Sequence, residues 1–205
     1  MRFLIFVAAI SLWSCGQHEA DKKEEVSNND TSKTRPDTAR TTPVAKENPL
    51  PTSSPDEVAV NEKLKASYGT KWHVLNDKEA KWMKDAFDYF IVPKRKKNPN
   101  YPYIAKGDFN GDGKQDMAAV VTDNNRENFR VAILLAPDKI QLWEEDIMID
   151  AALSSTPRST IEGMDGEKTK KVKLKGDGVN VEYFEKASFV LYWDKNSFKR
   201  IQTGD

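Results

Sequence analysis

Between Trp13 and Tyr68 the 205-residue chain carries no Phe, Tyr or Trp, although it has 20 of them in all. Ordering a residue costs about 1–2 kcal/mol in backbone entropy. A segment without large apolar side chains buries too little surface to offset that cost. The gap therefore divides the chain into a short apolar start, a long polar middle and one region able to build a core. That last region holds 17 of the 20 aromatics.

The start has the layout of an export leader. Arg2 supplies a positive end, and Phe3–Trp13 is an apolar run of eleven residues. A run of that length is too short for a bilayer core that needs about 20 helical residues, but it suits the central region of a signal peptide. Leu12-Trp13-Ser14-Cys15-Gly16 follows directly. This stretch resembles the bacterial lipobox, which implies cleavage before Cys15, diacylglyceryl attachment to its thiol and acylation of the new amino terminus. Residues 1–14 are then a lipoprotein signal peptide. The alternative is an ordinary secretory leader with a Cys near its cut. Several acyl chains, each adding about 0.8 kcal/mol per buried methylene, anchor a protein stably. Gly16 in place of Asp argues against inner-membrane retention, so the expected location is the outer membrane, on its periplasmic or external side.

Residues 15–60 read as a lipid-anchored disordered tether, rich in Ser, Thr, Pro and Asn. About 45 residues of such chain span roughly 35–40 Å. Residues 16–60 carry 6 basic and 9 acidic side chains, and residues 61–205 carry 25 and 23. Neither part has the basic excess of a nucleic-acid binder, so no nucleic-acid partner is expected. One Cys and two His residues leave no basis for a thiolate or imidazole metal cluster.

Residues 61–205 are expected to form an α+β domain, with one or two N-terminal helices packed on antiparallel β meanders of about eight strands. Asn76 and Glu79 have capping-box spacing, Met83, Ala86, Phe87 and Phe90 recur at helical spacing, and Pro93 is read as the stop. A helix over about 56–67 precedes it. Beyond Pro93 the period changes to two, with strands expected over 101–107, 117–122, 129–136, 139–143, 170–175, 179–185, 188–193 and 198–203. Asp177-Gly178 reads as a hairpin turn joining two of these. The lysines alternating with Val172 and Leu174 suit a sheet edge. Residues 150–169 show little that specifies structure.

One motif carries chemistry. In Asp108-Phe-Asn110-Gly-Asp112-Gly113-Lys114-Gln-Asp116, oxygen side chains occupy loop positions 1, 3, 5 and 9, with Gly at 6. A hard cation such as calcium takes six to eight oxygens, and alternate residues of a curled loop can share one. Position 12 is Ala119 rather than the Glu of a helix–loop–helix site, so the loop joins strands. The stretch Gly107–Val120 resembles the calcium loop of FG-GAP and VCBS repeats, the blade elements of integrin-type propellers. That resemblance implies a calcium site formed by Asp108, Asn110, Asp112, the Lys114 carbonyl and Asp116. It covers about fifteen residues and has no second copy, so a complete propeller is not expected. The competing interpretation is a polar hairpin loop without metal. Asp177, in Lys175-Gly-Asp-Gly178, lacks the companion ligands.

Other features have bland explanations. Lys94-Arg-Lys-Lys97 could meet phosphate or anionic lipid, or be a solvated loop. Trp143, Tyr192, Trp193, Tyr101 and Tyr103 could stack on sugars, or be core. His73 has no evident partner, and Ser154-Ser-Thr156 lacks a nucleophile context. The expected protein is an envelope-anchored lipoprotein displaying a calcium-stabilised, non-catalytic binding domain, its partner an envelope protein or a glycan. The alternatives are an inhibitor or accessory subunit of an envelope enzyme, and a hydrolase with an unrecognised site.

Overall fold

A computed structural model describes residues 53–204; the leader expected over residues 1–14, Cys15 and most of the expected tether lie outside the described residues. All described residues belong to the second of the chain's two units, Asn48–Asp205. Among them no helix is long and apolar enough to cross a membrane.

Helix α1 (Pro55–Tyr68) starts ahead of the boundary expected at residue 61. Its start is specified locally. The Ser54 side chain accepts the Glu57 amide, Pro55 has no amide to leave unpaired, and Asp56 and Glu57 place negative charge at the positive end of the helix dipole. Gly69, at φ +68°, ends it. Val60 and Leu64, one turn apart, are its buried contacts with the core.

Two open antiparallel sheets follow. The first contains β1 (Trp72–Val74), β2 (Ile104–Gly107), β3 (Asp116–Asp123), β4 (Phe129–Leu135) and β5 (Lys139–Leu142). Strand β3 is its centre: β4 pairs along one edge, while β1 and β2 share the other edge end to end. The second contains β6 (Ala152–Thr156), β7 (Thr160–Asp165), β8 (Lys168–Lys173), β9 (Gly178–Tyr183), β10 (Ala187–Asp194) and β11 (Ser197–Gly204), in the order β6-β9-β10-β11-β7-β8. Residues of α1 and of both sheets join in one core, which includes Leu64, Val120, Val121, Ile133, Val181 and Leu191. Ala118 to Val121 are all fully buried. A strand covered on both faces fits a first sheet lying between α1 and the second sheet.

The fold is β-rich, and the sheets do not form a propeller. Among the described residues the strand count is eleven, against an expectation of about eight. Strand β1, at three residues, is too short to show a period. Strands β6 and β7 occupy the segment that lacked a pattern. Strand β7 is mostly exposed and contains Gly163, whose added Cβ would lie 2.1 Å from the Gln202 carbonyl oxygen. That close approach to its sheet neighbour β11 accepts only glycine. The expected Asp177-Gly178 hairpin does not form either. Strand β8 pairs with β7 and is the edge of its sheet, whereas β9 lies between β6 and β10.

The second helix also departs from expectation. Asn76 makes one turn, its side-chain oxygen accepting the Lys78 amide and its carbonyl the Glu79 and Ala80 amides. The turn does not propagate. Helix starts only at α2 (Lys84–Ala86), passes through a π-helical turn (Phe87–Ile91) and continues through Pro93 into α3 (Val92–Arg95). Proline ordinarily clashes with the carbonyl four residues earlier. Here the Val92 amide donates to the Phe87 carbonyl, five residues back, and the widened turn admits the ring. Ala86 and Ile91 from this segment pack with Tyr101, Ala152 and Phe184 in a small second cluster.

Candidate functional site

The loop Asp108–Asp116 joins β2 to β3 and is organised by its own carboxylates. Asp108 Oδ1 accepts the amides of Gly111 (2.8 Å) and Asp112 (3.0 Å), and its Oδ2 that of Gly113 (2.9 Å). Asn110 Oδ1 accepts the Asp112 amide (2.9 Å), and Asp112 Oδ1 the Lys114 amide (2.9 Å). Gly111 and Gly113 have φ of +76° and +83°, the left-handed conformations this curl requires. Phe109, at the second loop position, is fully buried and anchors the loop in the core.

Asp116 behaves differently from the rest. It is 1% exposed, its Oδ2 accepts the Phe109 amide and its Oδ1 the Ala136 amide, both at 2.8 Å. Burial raises its pKa, opposed by these backbone bonds, while the Asp112 charge adds to the rise. The carboxylate thus ties the loop to the end of β4.

All the side-chain donors at these positions are oxygens, as a hard cation requires, and each carboxylate has more acceptor sites than these amides use. The donor set therefore fits calcium chemically. Among the described residues, no three Asp, Glu, His or Cys side chains lie close enough to hold an ion. Asp108, Asn110 and Asp112 serve backbone amides at the surface, and Asp116 serves two more inside.

Asp177, set aside in the sequence, is brought to this loop by the fold. Its amide donates to the Asp108 carbonyl (2.7 Å), its Oδ2 accepts the Asp108 amide (3.1 Å), and its Oδ1 accepts the Arg158 amide (3.0 Å). Beside it, a Cβ added to Gly176 would lie 2.1 Å from the Asp108 carbonyl oxygen and 2.6 Å from the Gly111 nitrogen. The loop of the first sheet and the β8–β9 connection of the second are clasped backbone to backbone.

His73 does have a partner. Its Nε2 lies 3.1 Å from both Glu79 oxygens, and Glu79 also takes Arg126 Nε at 3.1 Å and Asn76 Nδ2 at 2.6 Å. Ser154 Oγ, in the other sheet, accepts Asn180 Nδ2 at 3.2 Å. The two residues weighed as catalytic lie in different sheets, each with a local partner.

A cleft of about 930 Å³ lies where the chain after β5 faces the β7–β8 turn and β11. Trp143, Met164 and Phe198 give it apolar surface, and Glu145, Arg200 and Gln202 polar groups. Arg200 is held by Glu145 Oε2 (3.0 Å) and Gln202 Oε1 (2.9 Å), with its guanidinium 4.2 Å from the Phe189 ring centroid. The Trp143 indole Nε1 is buried and meets no acceptor among the described residues. Buried donors of this kind are rare.

In comparisons with known proteins, no family model, no curated sequence and no solved structure matches the chain.

Proposed function

We propose that the chain is a lipoprotein of the cell envelope, anchored in the outer membrane through acylated Cys15, whose folded domain is a calcium-stabilised, non-catalytic binding module for glycan chains. The observation that carries the binding role is the cleft at Trp143. It is open, and it combines aromatic surface with carboxylate, guanidinium and amide groups. Sugars present apolar ring faces with hydroxyls at the rim, and this mixture complements both. The separate placement of His73 and Ser154 supports a role without chemistry. The leader and the Cys15 motif support the anchor.

The binding reading is tested on residues 16–205, which retain every described residue. Titration calorimetry with soluble envelope polysaccharide and peptidoglycan fragments should detect binding. Trp143→Ala should weaken it at least about tenfold. Equal affinity in the variant, or none in the wild type, refutes the cleft as a glycan site.

Calcium is supported by the donor set and by the loop spacing. Asp108, Asn110, Asp112, the Lys114 carbonyl and Asp116 would hold it, and its role would be to order the loop and the two strands it joins. At the affinity usual for extracellular sites, occupancy adds about 0.5–1.5 kcal/mol. Chelator should therefore lower the melting temperature by about 2–5 °C. A melting temperature indifferent to calcium would remove the ion from the account.

A further inference from the structure

Eight large apolar side chains are exposed among the described residues, and four of them fall within ten positions: Met83 (56%), Tyr89 (73%), Phe90 (38%) and Val92 (39%). Met83, Tyr89 and Phe90 line one shallow cleft of about 480 Å³ floored by Phe184. Phe90 stacks on Phe184 at 4.9 Å between ring centroids, so the patch has a firm base. Isolated exposed apolar residues need no explanation, but a contiguous group marks a contact surface.

The charge along the segment is one-sided, although Asp85 and Glu185 line the cleft itself. Residues 81–97 carry six basic side chains against two acidic ones. Two of the six are committed to the fold. Arg95 grips Asp77 through both terminal nitrogens at 2.6 Å and donates from Nε to the Tyr101 carbonyl at 2.6 Å. Lys94 lies over the Tyr101 and Phe184 rings at 5.0 and 5.4 Å. Lys84 pairs with Asp88, which neutralises that acid within the patch. Lys81, Lys96 and Lys97 are exposed and have no ion-pair partner among the described residues. The Arg95 grip also lowers the Asp77 pKa, with burial opposing and the Tyr103 hydroxyl assisting. The helical segment is therefore pinned to the domain, with its apolar side chains and free lysines facing outward.

We propose that Met83, Tyr89, Phe90 and Val92, with Lys81, Lys96 and Lys97, form a docking face for an anionic lipid surface. Aromatic and aliphatic side chains enter the headgroup boundary while lysines stay at the phosphates, the division of labour found in interfacial segments. The positive excess of the segment selects an anionic surface over a neutral one. The expected tether cannot supply this attraction, because it carries three more acidic than basic residues. Docking would lay the domain on the bilayer instead of leaving it at the end of its tether. This role uses neither the Trp143 cleft nor Cys15.

The test is vesicle flotation of residues 16–205, a chain without leader or acyl group. Vesicles of equimolar phosphatidylglycerol and phosphatidylcholine should carry the protein, and pure phosphatidylcholine should not. Lys96→Gln and Lys97→Gln should each weaken binding about fivefold. Met83→Ser with Tyr89→Ser should weaken it by at least about tenfold. These side chains are exposed, so thermal melts should show all variants folded. Trp143→Ala should float like the wild type, which separates this face from the glycan cleft. Absence of flotation on anionic vesicles overturns the proposal. So does flotation that survives the Met83 and Tyr89 changes, or that is equal on neutral vesicles. Loss of a stoichiometric protein partner on the same substitutions, without vesicle binding, would assign the face to protein instead.

Discussion

Asp116→Ala should destabilise the domain by about 2–5 kcal/mol, because it leaves two interior amides without an acceptor at a typical 1–3 kcal/mol each. In this domain the loss corresponds to a fall in melting temperature of about 5–15 °C, and it is a large share of the 5–15 kcal/mol that holds an ordinary protein folded. The Phe109 and Ala136 amides both depend on this carboxylate, and at 1% exposure no water replaces it without rearrangement. Asp116→Asn should fall between wild type and Ala, since its one remaining oxygen can serve one amide while its NH₂ group faces the other. Asp108→Ala should behave in the opposite way. Its three amide partners are at the surface, where water can take over, so chelated protein should lose about 1 kcal/mol or less. The calcium response should disappear. Urea denaturation in chelator, repeated with calcium, separates the two roles. If Asp116→Ala unfolds at the wild-type midpoint in chelator, the internal tie is not a stabilising element.

Gly176→Ala should cost about 3 kcal/mol, at the upper end of overpacking penalties. Its Cβ would meet Asp108 and Gly111 backbone atoms at 2.1–2.9 Å, and backbone on both sides cannot yield as a side-chain tip would. The damage should be local to the clasp before it is global. Hydrogen exchange at the Asp177 and Asp108 amides should accelerate more than exchange in β10. Gly166→Ala provides the comparison. Gly166 has φ +63° but open space around it, so only backbone strain of about 1 kcal/mol is expected. Similar losses for the two variants would mean that close approach at Gly176 is not what the position requires.

Both predictions concern residues whose neighbours are remote in sequence, and that is where reading from the chain alone stopped. Strands β2–β5 and β8–β11 were legible because apolar residues either alternate with polar ones or run unbroken between turn residues. Helix α1 was expected over about residues 56–67 and runs Pro55–Tyr68. Strands β1, β6 and β7 were not legible, since they are short, or contain serines, or carry a glycine demanded by close approach of the neighbouring strand. Pro93 was read as a stop because the π-helical turn that admits it depends on packing beneath Phe87–Ile91. The loop spacing stood out in the sequence, yet the different duty of Asp116 did not. A signal existed, for Asp116 directly precedes the unbroken apolar run Met117–Val121, which marks β3 as an interior strand. His73 and Glu79, six residues apart, could have been paired had the Asn76 turn been recognised. Asp177 gave no such sign. Its partner Asp108 lies 69 positions earlier, and only the completed fold brings the two together.

That distance has a consequence for the order of events during synthesis. The first sheet is assembled from residues 72–142, but the loop between its first long strands is secured by residues 176 and 177. Strand β6 likewise meets the Pro102 carbonyl through the Leu153 amide. Closing such long loops is entropically slow, and mixed topologies of this kind fold later than helical ones. A nascent chain is therefore nearly complete before its defining contacts can form. The export proposed for this chain would be compatible with that delay, because contacts that secure the first sheet wait for the last strands.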